Sequence, residues 1–157
     1  MQESFFIKKV AVLGAGVMGA QIAAQIANAG IETRLYDLPS DGPDAYAVVK
    51  QGIQKLRKLK PSPLGTQDTV NMLLPRQYDN QADLEELAAC DLIIEAIAER
   101  LDWKEALYQK ITPYLNKKSI LVSNTSGLSI NALTEVLPEA MHARFCGVHF
   151  FNPPRYM

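Results

Sequence analysis

The segment VAVLGAGVMGA, residues 10–20, decides the fold of this 157-residue chain. An apolar run ends at a glycine, and Gly14, Gly16 and Gly19 follow the spacing G-x-G-x-x-G. After a strand, the first glycine permits a tight turn, the second lets the backbone approach a pyrophosphate, and the third lets a helix pack on the strand. The same spacing occurs in ordinary strand–helix turns, so its meaning depends on the flanking sequence.

The flanking sequence predicts a strand before the glycines and a helix after them. Residues 7–13 end in a short apolar run typical of a buried strand, and residues 17–29 read as a helix that stops at Gly30. The N-terminus of such a helix presents free N–H groups and a partial positive charge to phosphates. We therefore predict a dinucleotide site at this turn, in which Val17 and Met18 join the three glycines.

An acidic residue at the end of the next strand is the second requirement for this site. Residues 31–37 alternate between apolar and polar side chains, as a strand does, and they end at Asp37. A carboxylate there accepts hydrogen bonds from the adenosine ribose and repels a 2′-phosphate, so NAD is predicted over NADP. Leu38 follows rather than an arginine, which agrees with NAD. The alternative is that Asp37 is only a turn residue before LPSDG.

The remainder of the chain continues to alternate between helix and strand patterns. Helices are predicted over 43–59, 81–89, about 101–113 and 129–137, and strands near 75–79, within 90–97 and 119–124, and over 144–149. The alternation predicts a Rossmann-like, doubly wound α/β fold with a mostly parallel sheet and helices on both faces. No internal repeat or linker divides the chain, so residues 1–157 are predicted to form one domain.

The composition limits the partners that the chain can have. The 16 basic and 17 acidic side chains nearly cancel, which gives no electrostatic reason to expect nucleic acid or an anionic membrane. Cys90 and Cys146 form no disulfide framework, so a reducing, cytoplasmic setting is expected. The N-terminal MQESFFIKKV does not resemble a secretory signal, and no apolar stretch reaches the roughly 18 residues of a membrane span.

Three later segments go beyond a generic dinucleotide fold. They read IIEAIAERLDWK at 93–104, VSNTSGLSI at 122–130 and GVHFFNPPRYM at 147–157. In this order, after the glycine segment, they resemble the L-3-hydroxyacyl-CoA dehydrogenase family, most of all its bacterial long multidomain members. The resemblance covers roughly residues 7–157. It implies an NAD-dependent oxidoreductase that converts (S)-3-hydroxyacyl-CoA to 3-oxoacyl-CoA in fatty-acid β-oxidation.

The resemblance also implies roles for individual residues. His149 in HFFNP matches the catalytic base, and Ser126 in NTSG matches the hydroxyl that bonds the substrate oxygen. Asn124 matches a polar residue near the nicotinamide and the substrate. Glu99 and Lys104 match residues that line the NAD site.

The residue types suit this chemistry, although each has a simpler interpretation. Oxidising a secondary alcohol requires a base for the hydroxyl proton, and imidazoles exchange protons near neutral pH. A hydroxyl such as that of Ser126 stabilises charge growing on the oxygen. Without the family, His149 fits a buried structural histidine in an aromatic cluster, and Ser126 and Asn124 fit helix caps. Gly127 stands where the family usually has a second serine, and His142 lacks a motif and is expected at the surface.

A basic run on the predicted second helix is a candidate for substrate contact. Lys50, Lys55 and Lys58 lie where the family places the phosphates of coenzyme A. The alternative is a solvated helix face. No metal site is predicted.

The family implies two further parts that would follow Met157. One is a glutamate that orients and charges His149, and the other is a helical domain that completes the substrate cleft and usually makes the dimer. We therefore expect residues 1–157 to be an NAD-binding domain truncated before that helical domain. A module that binds NAD without turnover is the alternative function, and a Rossmann dehydrogenase of another substrate class would lack HFFNP.

Overall fold

The computed structural model describes residues 6–157, so the first five residues of the N-terminal segment lie outside the described part. Six parallel strands form one sheet in the order β3-β2-β1-β4-β5-β6. The strands are β1 (Lys9–Leu13), β2 (Glu32–Asp37), β3 (Leu73–Gln77), β4 (Leu92–Glu95), β5 (Ile120–Ser123) and β6 (Phe145–Gly147). This order is that of the Rossmann fold, which confirms the predicted class.

Helices cover both faces of the sheet, as right-handed crossovers between parallel strands require. They are α1 (Val17–Asn28), α2 (Ala47–Leu56), α3 (Gln81–Glu85), α4 (Leu101–Ile111), α5 (Ile130–Glu135) and α6 (Glu139–His142). Alternate residues of β1 serve the two sides: Val10 and Val12 pack with α1 and α2, while Ala11 and Leu13 pack with the helices of the other face. The apolar run that was interpreted as a buried strand is therefore buried on both faces of the sheet.

Several elements are shorter than their patterns predict. The second helix begins at Ala47 rather than at residue 43, because the carboxylate of Asp44 accepts the Tyr46 N–H and forms a local turn first. The segment 81–89 divides into α3 and a 3-10 turn. The last strand has three residues and pairs with β5 alone. Within residues 6–157 no helix is long and apolar enough to cross a membrane.

The register brings the C-terminal ends of the strands to one edge of the sheet. Leu13 pairs with Glu95, and Glu95 pairs with Ser123. The residues that follow these strands therefore meet at the edge where Rossmann folds bind their ligands, close to the point where the strand order reverses between β1 and β4.

Candidate active site

The glycine turn after β1 has the geometry that the motif predicts. Gly14 has φ +105°, and a Cβ there would lie 2.7 Å from the carbonyl oxygen of Ala96. A Cβ on Gly19 would overlap the carbonyl oxygen of Gly14, so the helix can approach the turn only with glycine at that position. A Cβ on Gly16 would meet no atom within 4 Å. The turn therefore needs Gly14 and Gly19 for its own packing, while Gly16 faces open space.

The first turn of α1 is the natural place for a phosphate. Gly16 is the N-cap residue and makes no side-chain cap, and the first turn contains no acidic residue. Val17 is exposed and Met18 is half-buried, so the backbone between the glycines borders solvent. Free N–H groups at the N-terminus of a twelve-residue helix attract anionic oxygens.

Asp37 ends β2 beside this turn. One carboxylate oxygen accepts the N–H of Ala15 at 2.7 Å, and the other accepts the N–H of Leu38 at 2.7 Å. Asp37 thus bonds its own turn before LPSDG, as the alternative interpretation expects, and it also links that turn to the glycine segment. Asp37 is half-buried and also lines the cleft over this turn, and its contact with a ribose stays a prediction.

A cleft of about 440 Å³ lies over the glycine turn, and we name it the glycine-side cleft. Its lining is Gly14, Gly16, Asp37, Leu38, Tyr78, Ala96, Ile97, Ala98, Trp103, Ala106, Leu107 and Lys110. Most of this wall is apolar, and Asp37 supplies a carboxylate. An apolar slot with a few polar groups suits an adenosine moiety. The sequence analysis had assigned no role to Tyr78, which lies outside the quoted motifs, or to Trp103, which lies within the segment 93–104.

A second cleft of about 440 Å³ brings the predicted catalytic residues together, and we name it the histidine-side cleft. Its lining is Met18, Ala96, Ile97, Ala98, Glu99, Asn124, Ser126, His149, Phe150, Phe151 and Asn152. Residues 96–98 belong to both clefts, so the loop after β4 separates two adjoining parts of one groove.

Asn124 positions the segment that carries His149. Its side-chain oxygen accepts the N–H of Phe150 at 2.8 Å, and its own N–H donates to the carbonyl of Glu95 at 2.8 Å. The N-cap of α5 is Ser129, whose hydroxyl accepts the N–H of Ala132. The helix-cap interpretation of Asn124 and Ser126 is therefore wrong.

His149 is an exposed side chain at the rim of the histidine-side cleft. Its ring makes an edge contact with Phe151, with 5.0 Å between the ring centroids. The interpretation as a buried structural histidine is therefore wrong, because solvent reaches the imidazole. The other histidine, His142, is exposed at the end of α6, outside both clefts, as expected.

Glu99 joins the loop after β4 to the loop after β5. One carboxylate oxygen accepts the Thr125 hydroxyl at 2.7 Å and the Gly127 N–H at 3.1 Å. Burial opposes ionisation, but these hydrogen bonds and the charge of Lys104 together lower the pKa of Glu99 below its usual value. A Cβ on Gly127 would make only ordinary contact with Glu99, at 3.6 Å, so the backbone does not require glycine there.

Lys104 differs from its expected place. Its side chain is 0% exposed, and it lines neither cleft. The ammonium lies 2.6 Å from Glu95 and 3.7 Å from Glu99. Helix α4 thus places Lys104 under the loop after β4 and not in the wall of either cleft, and its expected contribution to the NAD site stays a prediction.

Glu95 is a residue of this region that the motifs had not assigned. Its carboxylate is completely buried and accepts four hydrogen bonds. The donors are Lys104 Nζ at 2.6 Å, the Ile97 N–H at 2.8 Å, the Tyr108 hydroxyl at 3.0 Å and the Ser123 hydroxyl at 2.6 Å. The sequence signal for Glu95 was a carboxylate at the end of an apolar strand. A charge in such a buried position requires hydrogen-bond or ionic partners.

The basic residues of α2 lie apart from both clefts. Lys50 pairs with Asp44 at 2.6 Å, and both side chains are about half exposed. Lys55 and Lys58 are exposed on the same part of the chain. None of the three lines the groove, and their contact with coenzyme A stays a prediction.

The residues present fit a dinucleotide. The helix N-terminus with open space at Gly16 suits a pyrophosphate, Asp37 suits a ribose, and the two adjoining clefts suit the two ends. Within residues 6–157 no group of three or more His, Cys, Asp or Glu side chains is placed to hold a metal ion. The fold and the groove define the class of α/β dinucleotide-binding domains found in oxidoreductases.

Comparison with known proteins narrows this class to one family. Residues 9–157 match the family described as "3-hydroxyacyl-CoA dehydrogenase, NAD binding domain". The chain belongs to this family, and its cofactor is NAD.

Individual relatives agree with the family match. The chain is 47% identical over 152 residues to a Rickettsia felis protein provisionally named a fatty acid oxidation complex trifunctional enzyme, covering 96% of this chain and 21% of that protein. It is 34% identical to the 3-hydroxyadipyl-CoA dehydrogenase of Escherichia coli, of which it covers 31%. The crystal structure of 3-hydroxybutyryl-CoA dehydrogenase from E. coli superposes with a TM-score of 0.77 at 32% identity, covering 97% of this chain and 31% of that one. The chain thus spans a third or less of these proteins.

Cofactor choice provides a direct test of Asp37. Replacing it with asparagine keeps an oxygen for the Ala15 N–H but removes the charge that repels a 2′-phosphate. We expect NAD(H) affinity to fall by about 10-fold and NADP(H) affinity to rise relative to it, in calorimetric titrations. Asp41→Asn, which changes an exposed carboxylate outside the cleft, should alter neither affinity. Equal preference for NADPH in the unaltered chain would contradict the role of Asp37.

Proposed function

We propose that this domain holds NAD(H) in a longer polypeptide that oxidises (S)-3-hydroxyacyl-CoA to 3-oxoacyl-CoA in fatty-acid β-oxidation. The observation that carries the proposal is the meeting of His149, Ser126 and Asn124 in a cleft that adjoins the dinucleotide cleft across residues 96–98. An alcohol placed there has a base, a hydroxyl and an amide within one small volume. The family and the names of its members point to the same substrate class.

Each side chain has a separate task in the proposed reaction. His149 accepts the proton of the substrate hydroxyl, because its exposed imidazole borders the cleft. Ser126 donates a hydrogen bond to the same oxygen as its negative charge grows. Asn124 holds the Phe150 N–H and thereby keeps the histidine segment in register with the loop after β5.

The glycine-side cleft binds and orients NAD(H) in this proposal. NAD, when bound, supplies the acceptor for the hydride that leaves the alcohol carbon. The first turn of α1 and Gly16 hold the phosphates, and Asp37 holds the adenosine ribose. The ionised Glu99 fixes the loop of Thr125 and Gly127 against the loop after β4, so that both walls of the histidine-side cleft keep their separation.

The longer polypeptide, its location and its substrate contacts belong to the same proposal. The relatives extend well beyond the length of this chain, which supports a longer polypeptide. We propose, from the family resemblance, that its further part includes a helical domain that covers the substrate and makes the dimer. Lys50 and Lys55 on α2, with Lys58 in the turn after it, contact the coenzyme A phosphates in this proposal. A cytoplasmic location agrees with the free thiols of Cys90 and Cys146.

One observation favours the alternative, an NAD-binding module without turnover in isolation. Within residues 6–157 no carboxylate bonds the His149 ring, whose aromatic neighbour is Phe151. A base without a carboxylate partner lacks both orientation and stabilisation of its protonated form. Binding and chemistry are therefore separable in this domain.

The experiment measures NAD(H) binding and turnover for the 157-residue chain and for the longer polypeptide. Calorimetry should show NAD(H) binding to the 157-residue chain, whereas NADH-linked absorbance with acetoacetyl-CoA should show negligible turnover. The longer polypeptide should turn over acetoacetyl-CoA but not free acetoacetate, which lacks the coenzyme A handle. An isolated chain as active as the longer polypeptide would contradict the division of labour, and an inactive longer polypeptide would contradict the activity.

A further inference from the structure

One face of helix α4 is directed into the glycine-side cleft. Trp103, Ala106, Leu107 and Lys110 all line that cleft, and their positions i, i+3, i+4 and i+7 recur on one side of a helix. Lys104, the residue after Trp103, instead lies buried under the loop after β4. The rotation of the helix therefore places the indole of Trp103 in the wall of the cleft.

The indole of Trp103 is open to solvent for so large an apolar group. It is 51% exposed, and Leu38, which lines the same cleft from the loop after β2, is 62% exposed. Single exposed apolar side chains are ordinary, but two in the wall of one cleft indicate a surface for an apolar part of a ligand. The fold thus leaves both side chains uncovered in the cleft that suits the cofactor.

Arg100 holds the indole from outside the cleft. Its guanidinium lies over the Trp103 ring, 4.7 Å from the ring centroid, and it lines neither cleft. The same guanidinium donates two hydrogen bonds to the carboxylate of Asp102, at 3.1 Å and 2.7 Å. The ring electrons attract the cation, and the paired hydrogen bonds fix its orientation. The indole is therefore held in place without a ligand, which lowers the entropic cost of contact with one.

The neighbouring residues indicate which part of a dinucleotide meets the indole. Asp37, the predicted ribose contact, immediately precedes Leu38, and both line the cleft with Trp103. The adenine base is bonded directly to that ribose, so a ribose at Asp37 brings the base to the same part of the cleft. A base has flat, apolar faces that gain free energy from contact with an aromatic side chain.

We propose that Trp103 is a cofactor-binding residue whose indole packs against the adenine base of NAD(H). The inference rests on the cofactor part of the function proposed above. Contact removes apolar surface of the indole and of the base from water, which contributes to affinity without a hydrogen bond. The contribution is therefore the same for any ligand that carries the adenosine diphosphate half.

The fluorescence of Trp103 provides the first test, because it is the single tryptophan of the 157-residue chain. ADP carries the adenine base, lacks the nicotinamide and does not absorb the light that the indole emits. Saturating ADP should therefore quench the tryptophan emission of the unaltered chain through direct contact. The titration followed by emission should give the same Kd for ADP as calorimetry does.

Variants of α4 provide the second test. Trp103→Ala should weaken binding of ADP and of NADH by the same factor, about 10-fold, in calorimetric titrations of the 157-residue chain. The matched control is Leu101→Ala, because Leu101 is another exposed apolar side chain of α4 that lines neither cleft. It should keep both affinities within about twofold. Both variants should keep the melting temperature close to that of the unaltered chain, since neither side chain is buried.

Each other outcome is decisive. Unchanged ADP affinity in Trp103→Ala would overturn the inference, and so would tryptophan emission that saturating ADP leaves unaltered. An equal loss in Leu101→Ala would also overturn it, because the effect would then come from α4 as a whole. A loss for NADH without a loss for ADP would overturn the assignment to the adenine base. Failure of the unaltered chain to bind either ligand would instead overturn the cofactor site itself, which separates the two proposals.

Discussion

Replacing His149 with alanine in the longer polypeptide is expected to lower kcat for acetoacetyl-CoA reduction by about 10⁴-fold. In the proposed reaction, the imidazole would deliver the proton to the carbonyl oxygen in this direction and remove the hydroxyl proton in the other. Ser126 would still bond the oxygen, but a hydroxyl at neutral pH does not replace an acid and base. The decrease in NADH absorbance with saturating substrate measures the effect.

Two controls show that the loss is chemical. His149 is exposed at the cleft rim, so alanine should leave the melting temperature and the affinity for NADH nearly unchanged. His142→Ala removes the other histidine, which lies outside both clefts, and should retain nearly full kcat. A fully active His149→Ala enzyme, or an equal loss in His142→Ala, would rule out His149 as the proton carrier.

Replacing Lys104 with methionine is expected to lower the free energy of unfolding of the chain by about 3–5 kcal/mol. Methionine fills a similar volume but leaves the Glu95 carboxylate buried without its cation. The Tyr108 and Ser123 hydroxyls and the Ile97 N–H still bond that carboxylate, yet they do not neutralise it. Because a domain of this size has a total stability of about 5–15 kcal/mol, the variant should unfold at a much lower denaturant concentration.

Helix α4 provides the matched control for this variant. Lys110 lies two turns further along and pairs with Asp79, but both side chains are about half exposed. Lys110→Met should therefore cost less than about 1 kcal/mol. The double variant Glu95→Gln with Lys104→Met should recover part of the loss, since it removes both charges. Equal losses for Lys104→Met and Lys110→Met would show that burial does not set the strength of the first pair.

The buried Glu95–Lys104 pair also supports the loops that line the two clefts. Glu95 bonds the backbone of the loop after β4 through Ile97 and the end of β5 through Ser123. Those two segments lead directly to Glu99 and Asn124. Any Lys104→Met protein that stays folded should therefore bind NADH less tightly, although Lys104 itself lines neither cleft.

Sequence reasoning located the glycine turn and the acidic strand end because their signals are local. A Cβ on Gly19 would overlap the nearby Gly14, whereas a Cβ on Gly14 would meet Ala96 in the loop after β4, yet the spacing of the glycines alone indicated the turn. Asp37 was found because it ends the strand pattern that follows the glycine segment. His149, Ser126 and Asn124 were found through the family motifs, and the structure brings them into one cleft.

Other features could not be predicted because they depend on residues far apart in the chain. Lys104 was expected at the groove, but the direction of one side chain on α4 places it under the loop. Nothing in the sequence distinguishes Tyr36, whose hydroxyl meets Asp83, from Tyr78, whose hydroxyl meets no described partner. Side-chain partners across a sheet depend on register and helix rotation, which local patterns leave open.

The sequence by itself determined the class of fold, the cofactor turn and the family, because hydrophobic periodicity, glycine spacing and short motifs are properties of neighbouring residues. The tertiary structure alone decided which of those residues share a surface. It joined the two clefts across residues 96–98, buried Glu95 with Lys104, and placed Tyr78 in the wall of the glycine-side cleft. Parallel strands produce this result physically, since they bring the ends of distant segments to a single edge of the sheet.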